Sequence, residues 1–79
     1  MEIAVVLTGA AGNGPAGITW EQADMVRSDA EFRKHTYRMP LEQAVEAARS
    51  AMARAEHYGV RSLWNEAAIR YMIDNWNSF

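Results

Sequence analysis

The sequence predicts a small α+β fold, and three patterns along the chain carry that prediction. A short β-branched apolar run at residues 3–7 is typical of a strand. A second β-prone run lies at 35–39, and apolar residues recur at helical spacing between Leu41 and Tyr58. We therefore expect a short N-terminal strand in a small sheet, which a second copy of the chain can complete, packed on an antiparallel pair of longer C-terminal helices. A mainly helical bundle with one peripheral strand is the alternative.

Length and composition limit the classes of protein to which the chain can belong. Its 79 residues allow one domain, 1–79, which buries only roughly 60% of the surface of the unfolded chain. Apolar residues make up 49% of the chain but 14 of them are Ala, so the core must be small. The absence of Cys excludes thiolate metal sites and disulfides and favours a cytoplasmic location. A net charge of −2 argues against a strongly basic nucleic-acid binder and against an acidic DNA mimic, and no apolar run is long enough to cross a membrane.

The N-terminal strand at 2–8 is followed by a glycine-rich segment at 9–17. Both faces of the strand are apolar, so it needs pairing and cover that one strand cannot supply. The sequence at 5–14 looks like the strand and glycine turn of a dinucleotide-binding fold, but Asn13 and Pro15 stand where that pattern requires glycine. We therefore interpret 9–17 as a loop and keep a nucleotide-binding fragment only as a remote alternative.

A first helix is predicted to begin at Trp20. Thr19 has the chemistry of an N-cap, with Gln22 three positions later as its partner, and Met25 and Val26 are the predicted inward residues. Ser28 and Glu31 repeat the capping pattern, which indicates either a second short helical turn at 29–34 or a break between two helices.

The two C-terminal helices are predicted from spacing and end signals. Pro40 suits the start of the second helix and Gly59 its end after Tyr58. Ser62 is the predicted cap of a third helix that runs from 63 to 77 and carries a Glu66–Arg70 ion pair on its polar stripe. The rest of that helix is apolar over more than half of its circumference. This predicts that a second copy of the chain or another protein covers part of the apolar surface.

No catalytic, metal or cofactor constellation stands out in the sequence. The only two histidines, His35 and His57, are 22 residues apart, and neither has a carboxylate three or four positions after it that would complete a metal site. Two segments instead have the composition of binding surfaces. The basic run 33–38 mixes cations with an aromatic ring, and Trp and Tyr of the third helix belong to the residue types that dominate interfaces. The predicted partner-binding residues are Arg33, Lys34, Tyr37, Arg38, Trp64, Tyr71 and Trp76.

In size and composition the chain is similar to the small inhibitor proteins that bacteriophages and mobile elements carry, of the anti-CRISPR kind. This resemblance implies a protein that binds a bacterial nuclease or CRISPR surveillance complex and sterically blocks its access to DNA. Because the sequence contains no catalytic constellation, we expect a non-enzymatic protein-binding module without cofactor, and the apolar third helix predicts a homodimer. The alternative is an accessory subunit or small regulator that contacts nucleic acid weakly through the run 33–38.

Overall fold

The computed structural model describes residues 14–79, and all the regular secondary structure of that part of the chain is helical. Its three α-helices are α1 (Trp20–Glu31), α2 (Leu41–Tyr58) and α3 (Glu66–Asn75). Short 3-10 turns occupy Pro15–Gly17 and Trp76–Ser78, and a π-helix at Phe32–Thr36 continues α1. Helical residues make up 77% of this part, and it contains no strand.

The predicted α+β fold is therefore wrong within the described residues. The strand at 2–8 lies outside them, whereas the second strand, at 35–39, is replaced by the end of the π-helix and the turn after it. There the Tyr37 amide donates to the Phe32 carbonyl oxygen at 3.3 Å, and the Met39 amide donates to that of Arg33 at 3.0 Å. The β preference of this run is outweighed because its backbone amides form hydrogen bonds with the preceding helical turn, and no neighbouring strand within residues 14–79 is there to pair with it.

Helix α1 begins where the sequence predicts. The Thr19 hydroxyl accepts a hydrogen bond from the Gln22 amide at 3.0 Å, which satisfies one of the free donors of the first turn. The helix continues without a break to Glu31, so the capping pattern at Ser28 does not start a second helix. Val26 is buried as predicted, but the Met25 side chain faces outward.

Helix α2 has the predicted bounds. Pro40 is its N-cap, and Gly59 ends it in the left-handed conformation, with φ of 67°. The Val60 amide then donates to the Ala55 carbonyl oxygen at 2.9 Å, in the pattern of a Schellman cap. This cap fixes the direction in which the chain leaves the helix.

Helix α3 starts later than predicted, at Glu66. Its cap is Asn65, whose side-chain oxygen accepts from the Ala68 amide at 2.8 Å. Ser62 instead holds the preceding loop, because its hydroxyl accepts from the Trp64 amide at 3.0 Å. The predicted ion pair within the helix is also wrong, since Glu66 pairs with Arg49 of α2 at 2.6 Å.

Small side chains dominate the core between the three helices. Four of its eight members are alanines, which let the helices approach closely. One polar side chain crosses the same region: Gln22 is fully buried, and its Nε2 donates to the Leu63 carbonyl oxygen at 2.9 Å. This bond ties the loop before α3 to α1. The core cluster consists of Val26, Ala30, Ala44, Ala48, Trp64, Ala68, Ile69 and Met72.

Candidate interaction surface

The cations of the predicted basic run are largely bonded within the chain. Arg33 Nε donates to Asp29 Oδ2 at 3.0 Å, one helical turn earlier, and both side chains are partly buried. Lys34 Nζ donates to the carbonyl oxygens of Trp76, at 2.7 Å, and Phe79, at 3.1 Å. His35 Nε2 lies 3.0 Å from the same Phe79 oxygen. Only Arg38, among the arginines and lysines of this run, has no such contact within residues 14–79.

The predicted aromatic residues of the third helix point mainly into the molecule. Trp64 is 5% exposed and belongs to the core, although it precedes α3. Tyr71 and Trp76 are half-buried and pack against the core, and the Tyr71 ring meets the Phe79 ring edge to face at 6.0 Å. The apolar surface of α3 is therefore covered to a large extent by other residues of the same chain.

The large apolar side chains that remain exposed lie elsewhere. Sequence reasoning named Tyr37 among them but missed the others as binding residues. The sequence did carry a signal for two of them, because Met25 and Phe32 are seven positions apart and so share one face of a continuous helix. The exposed set consists of Trp20, Met25, Phe32, Tyr37, Tyr58 and Val60.

Met25 and Phe32 line an open groove of about 630 Å³, which we call the aromatic groove. Leu63 and Trp64 of the loop before α3 also line the groove, and the bond from Gln22 to the Leu63 carbonyl ties this loop to α1. The Asp29–Arg33 pair lies on the α1 side and is neutral overall. The groove is lined by Met25, Ser28, Asp29, Phe32, Arg33, Leu63 and Trp64.

The backbone next to the aromatic groove is unusual in two ways. The π-helix turn brings Tyr37 back over Phe32, and their rings meet edge to face with centroids 4.8 Å apart. Arg38 then adopts a left-handed conformation with φ of 58°, which is strained for a residue with a Cβ. π-helical turns and strained residues cluster at functional sites in proteins. Here both features lie beside the Phe32 and Tyr37 rings, of which Phe32 lines the groove.

Residues 14–79 offer no candidate for a metal site or a membrane span. No group of three or more His, Asp or Glu side chains there is arranged to hold a metal ion. None of the described helices combines the length and the apolar character that crossing a bilayer requires.

Comparison with known proteins adds no relative. No protein-family model matches the chain, and no characterised protein or solved structure matches it either.

Proposed function

We propose that the chain is a non-enzymatic protein-binding module that docks through the aromatic groove. The observation that carries this proposal is the pair Phe32 and Tyr37, which stay 49% and 60% exposed although both are large apolar side chains. Exposed aromatic side chains beside an open groove are typical of interface anchors, because they gain large apolar contacts at little cost in side-chain entropy.

The chemistry of the groove also indicates what kind of surface it accepts. Its two charged groups, Asp29 and Arg33, neutralise each other at 3.0 Å, so a partner needs no net charge there. Met25, Phe32 and Leu63 offer apolar contacts on both sides. We infer that the occupant is a partner protein that inserts an uncharged apolar side chain between α1 and the loop before α3.

The internal bonds of the run 33–38 support protein binding over the nucleic-acid alternative. Phosphate contacts need cations that can turn toward the ligand. Arg33 and Lys34 would each have to give up a bond within the chain before they could do so. A regulator that contacts nucleic acid through this run therefore remains the second candidate, supported mainly by Arg38.

The more specific form of the proposal is a steric inhibitor of a bacterial nuclease or CRISPR surveillance complex. Its support is the resemblance in size and composition. The direct test is DNA cleavage by purified complexes of this kind, with and without an excess of the protein. Cleavage that is unchanged for every complex tested would remove the inhibitor while leaving the binding module in place.

The homodimer remains a prediction, although the exposed apolar surface is not on the third helix, where the sequence predicts it. Apolar residues of α3 pack on the core, so a dimer interface would have to bury other surface. Sedimentation equilibrium should give about twice the chain mass of 8.9 kDa. A mass that stays at that of one chain over a wide concentration range would contradict the homodimer.

The proposed groove is tested with one double variant and one matched control. Phe32→Ser with Tyr37→Ser removes the two rings, whereas Trp20→Ser removes a ring that is 63% exposed but lies outside the groove. Proteins captured from a bacterial lysate by the unsubstituted chain are identified, purified and titrated against all three forms. We expect a partner that binds the chain and the Trp20 variant alike, and the double variant at least tenfold more weakly.

The proposal fails if every purified partner binds the three forms with equal affinity, or if none binds directly. Far-UV circular dichroism of each variant keeps loss of folding separate from loss of the binding groove.

A further inference from the structure

A second groove, which shares Leu63 and Trp64 with the aromatic groove, lies at the end of α2. It has a volume of about 420 Å³, and we call it the arginine groove. Ala51 and Ala55 form an apolar floor, with the exposed side chains of Tyr58 and Val60 at its rim. The Schellman cap at Gly59 fixes the backbone of Val60 beside this end of the helix. It is lined by Ala51, Arg54, Ala55, Tyr58, Val60, Arg61, Ser62, Leu63 and Trp64.

The two arginines of this groove differ from most others in the described part of the chain. Arg54 and Arg61 make no hydrogen bond or ion pair within residues 14–79. By contrast, four other arginines each lie within 4 Å of a carboxylate: Arg27, Arg33, Arg49 and Arg70.

The positive charge of Arg54 and Arg61 is also not balanced by acidic side chains in the groove. No carboxylate lines the arginine groove. Glu56 is near along the chain, but it lies about 200° around the helix from both Arg54 and Tyr58. The groove therefore presents two cations beside an apolar floor, on a protein whose net charge is −2.

We propose that the arginine groove binds an acidic peptide segment of a partner protein, with one apolar side chain on the alanine floor. Each guanidinium offers a planar set of N–H donors that matches a carboxylate, and the Tyr58 ring adds apolar contact beside it. The groove shares only Leu63 and Trp64 with the aromatic groove, where the charges are already paired. The two grooves thus select different chemistry, and this inference does not depend on occupancy of the first.

A random-peptide selection tests this inference before the natural partner has been identified. The immobilised full chain is used to enrich dodecapeptides from a phage library, and the enriched peptides are synthesised and titrated by fluorescence anisotropy. The test variant is Arg54→Gln with Arg61→Gln. The matched control is Arg27→Gln with Arg70→Gln, which removes the same amount of charge from exposed helix positions outside the groove.

We expect enriched peptides to carry several Asp or Glu residues around one apolar residue. Their affinity should fall at least tenfold in the groove variant and less than twofold in the control, and it should weaken as salt is raised. The Phe32 and Tyr37 variant should bind these peptides normally, so failure of the aromatic groove leaves this result unaffected.

Three outcomes would overturn the inference. The first is enrichment of peptides without excess acidic residues, and the second is equal binding by the groove and control variants. In the third, no acidic peptide is enriched, but a single-stranded oligonucleotide binds with dependence on Arg54 and Arg61. The groove would then be a phosphate site.

Discussion

Lys34 and Trp76, which lie 42 positions apart in the chain, bind each other. The Lys34 ammonium donates to the Trp76 carbonyl oxygen at 2.7 Å and lies 5.6 Å from the centroid of the indole ring. The same ammonium donates to the Phe79 carbonyl oxygen at 3.1 Å. One side chain thus joins the π-helix to the 3-10 turn after α3. Both residues were predicted to contact a partner, and each now has a role within the fold.

Replacement of Lys34 by Met should lower the free energy of unfolding by about 1–2 kcal/mol. The variant keeps most of the aliphatic stem but loses two charge-assisted hydrogen bonds and the cation–π contact. Urea denaturation followed by circular dichroism gives this difference. Arg38→Met is the control, because it removes an equal charge from a side chain without a partner in the described residues. Equal stability of the two variants would show that the Lys34 contacts contribute nothing.

Arg38→Gly should raise the free energy of unfolding by about 0.5–1 kcal/mol. Glycine relieves the left-handed strain at φ of 58°, and the entropy that it adds to the unfolded chain cancels only part of the gain. Arg38→Ala keeps the strain and should not stabilise the protein. Thermal unfolding of the three forms separates these effects. A glycine variant no more stable than the alanine variant would mean that the backbone carries no strain there.

The parts of the fold that could be predicted are those fixed by neighbours in sequence. The Thr19 cap, the start of α2 after Pro40 and its end at Gly59 each depend on residues within a few positions of one another. The run 35–39 failed the same reasoning because its backbone bonds to the preceding turn and because tertiary contacts are made at its start. Lys34 and His35 contact the end of the chain, more than 40 positions away, and no local pattern reveals those contacts.

The interaction surface was only partly predictable for a related reason. Composition shows which residues can anchor an interface, but only packing decides which of them stay exposed. Three tryptophans have equal chemistry, yet Trp64 is in the core, Trp76 is half-buried and Trp20 is exposed. The prediction that Met25 faces inward is wrong, because α1 turns this side chain toward the aromatic groove.

Trp64→Ala should destabilise the protein by about 3–5 kcal/mol, because it removes the largest side chain of an alanine-rich core. A domain of this size has little stability to lose, so the milder Trp64→Phe is measured beside it and should cost less. Trp20→Ala, at an exposed position, should change stability by no more than about 0.5 kcal/mol. Urea unfolding gives all three values. A Trp64→Ala variant that folds normally but loses partner binding would instead make Trp64 an interface residue.

Gln22→Glu should destabilise the protein at neutral pH by about 2–4 kcal/mol and recover on acidification. Gln22 is fully buried, and its Oε1 accepts no hydrogen bond within residues 14–79, so an introduced carboxylate would lack a donor there.

Burial raises the pKa of the introduced carboxyl in the folded state above its value in the unfolded chain, about 4.3. Below that pH both states hold the proton and the penalty disappears. The penalty grows as the pH rises from the unfolded-state pKa toward the folded-state pKa, and it is constant above both. Urea unfolding of the variant and of the unsubstituted chain at a series of pH values measures this difference.

Gln22→Met is the control, because it loses the bond to Leu63 but buries no charge. Its free energy of unfolding should stay within about 1 kcal/mol of that of the unsubstituted chain and should not depend on pH. A glutamate variant with the same pH-independent behaviour would show that water reaches Gln22, and that the link between α1 and the loop before α3 is open to solvent.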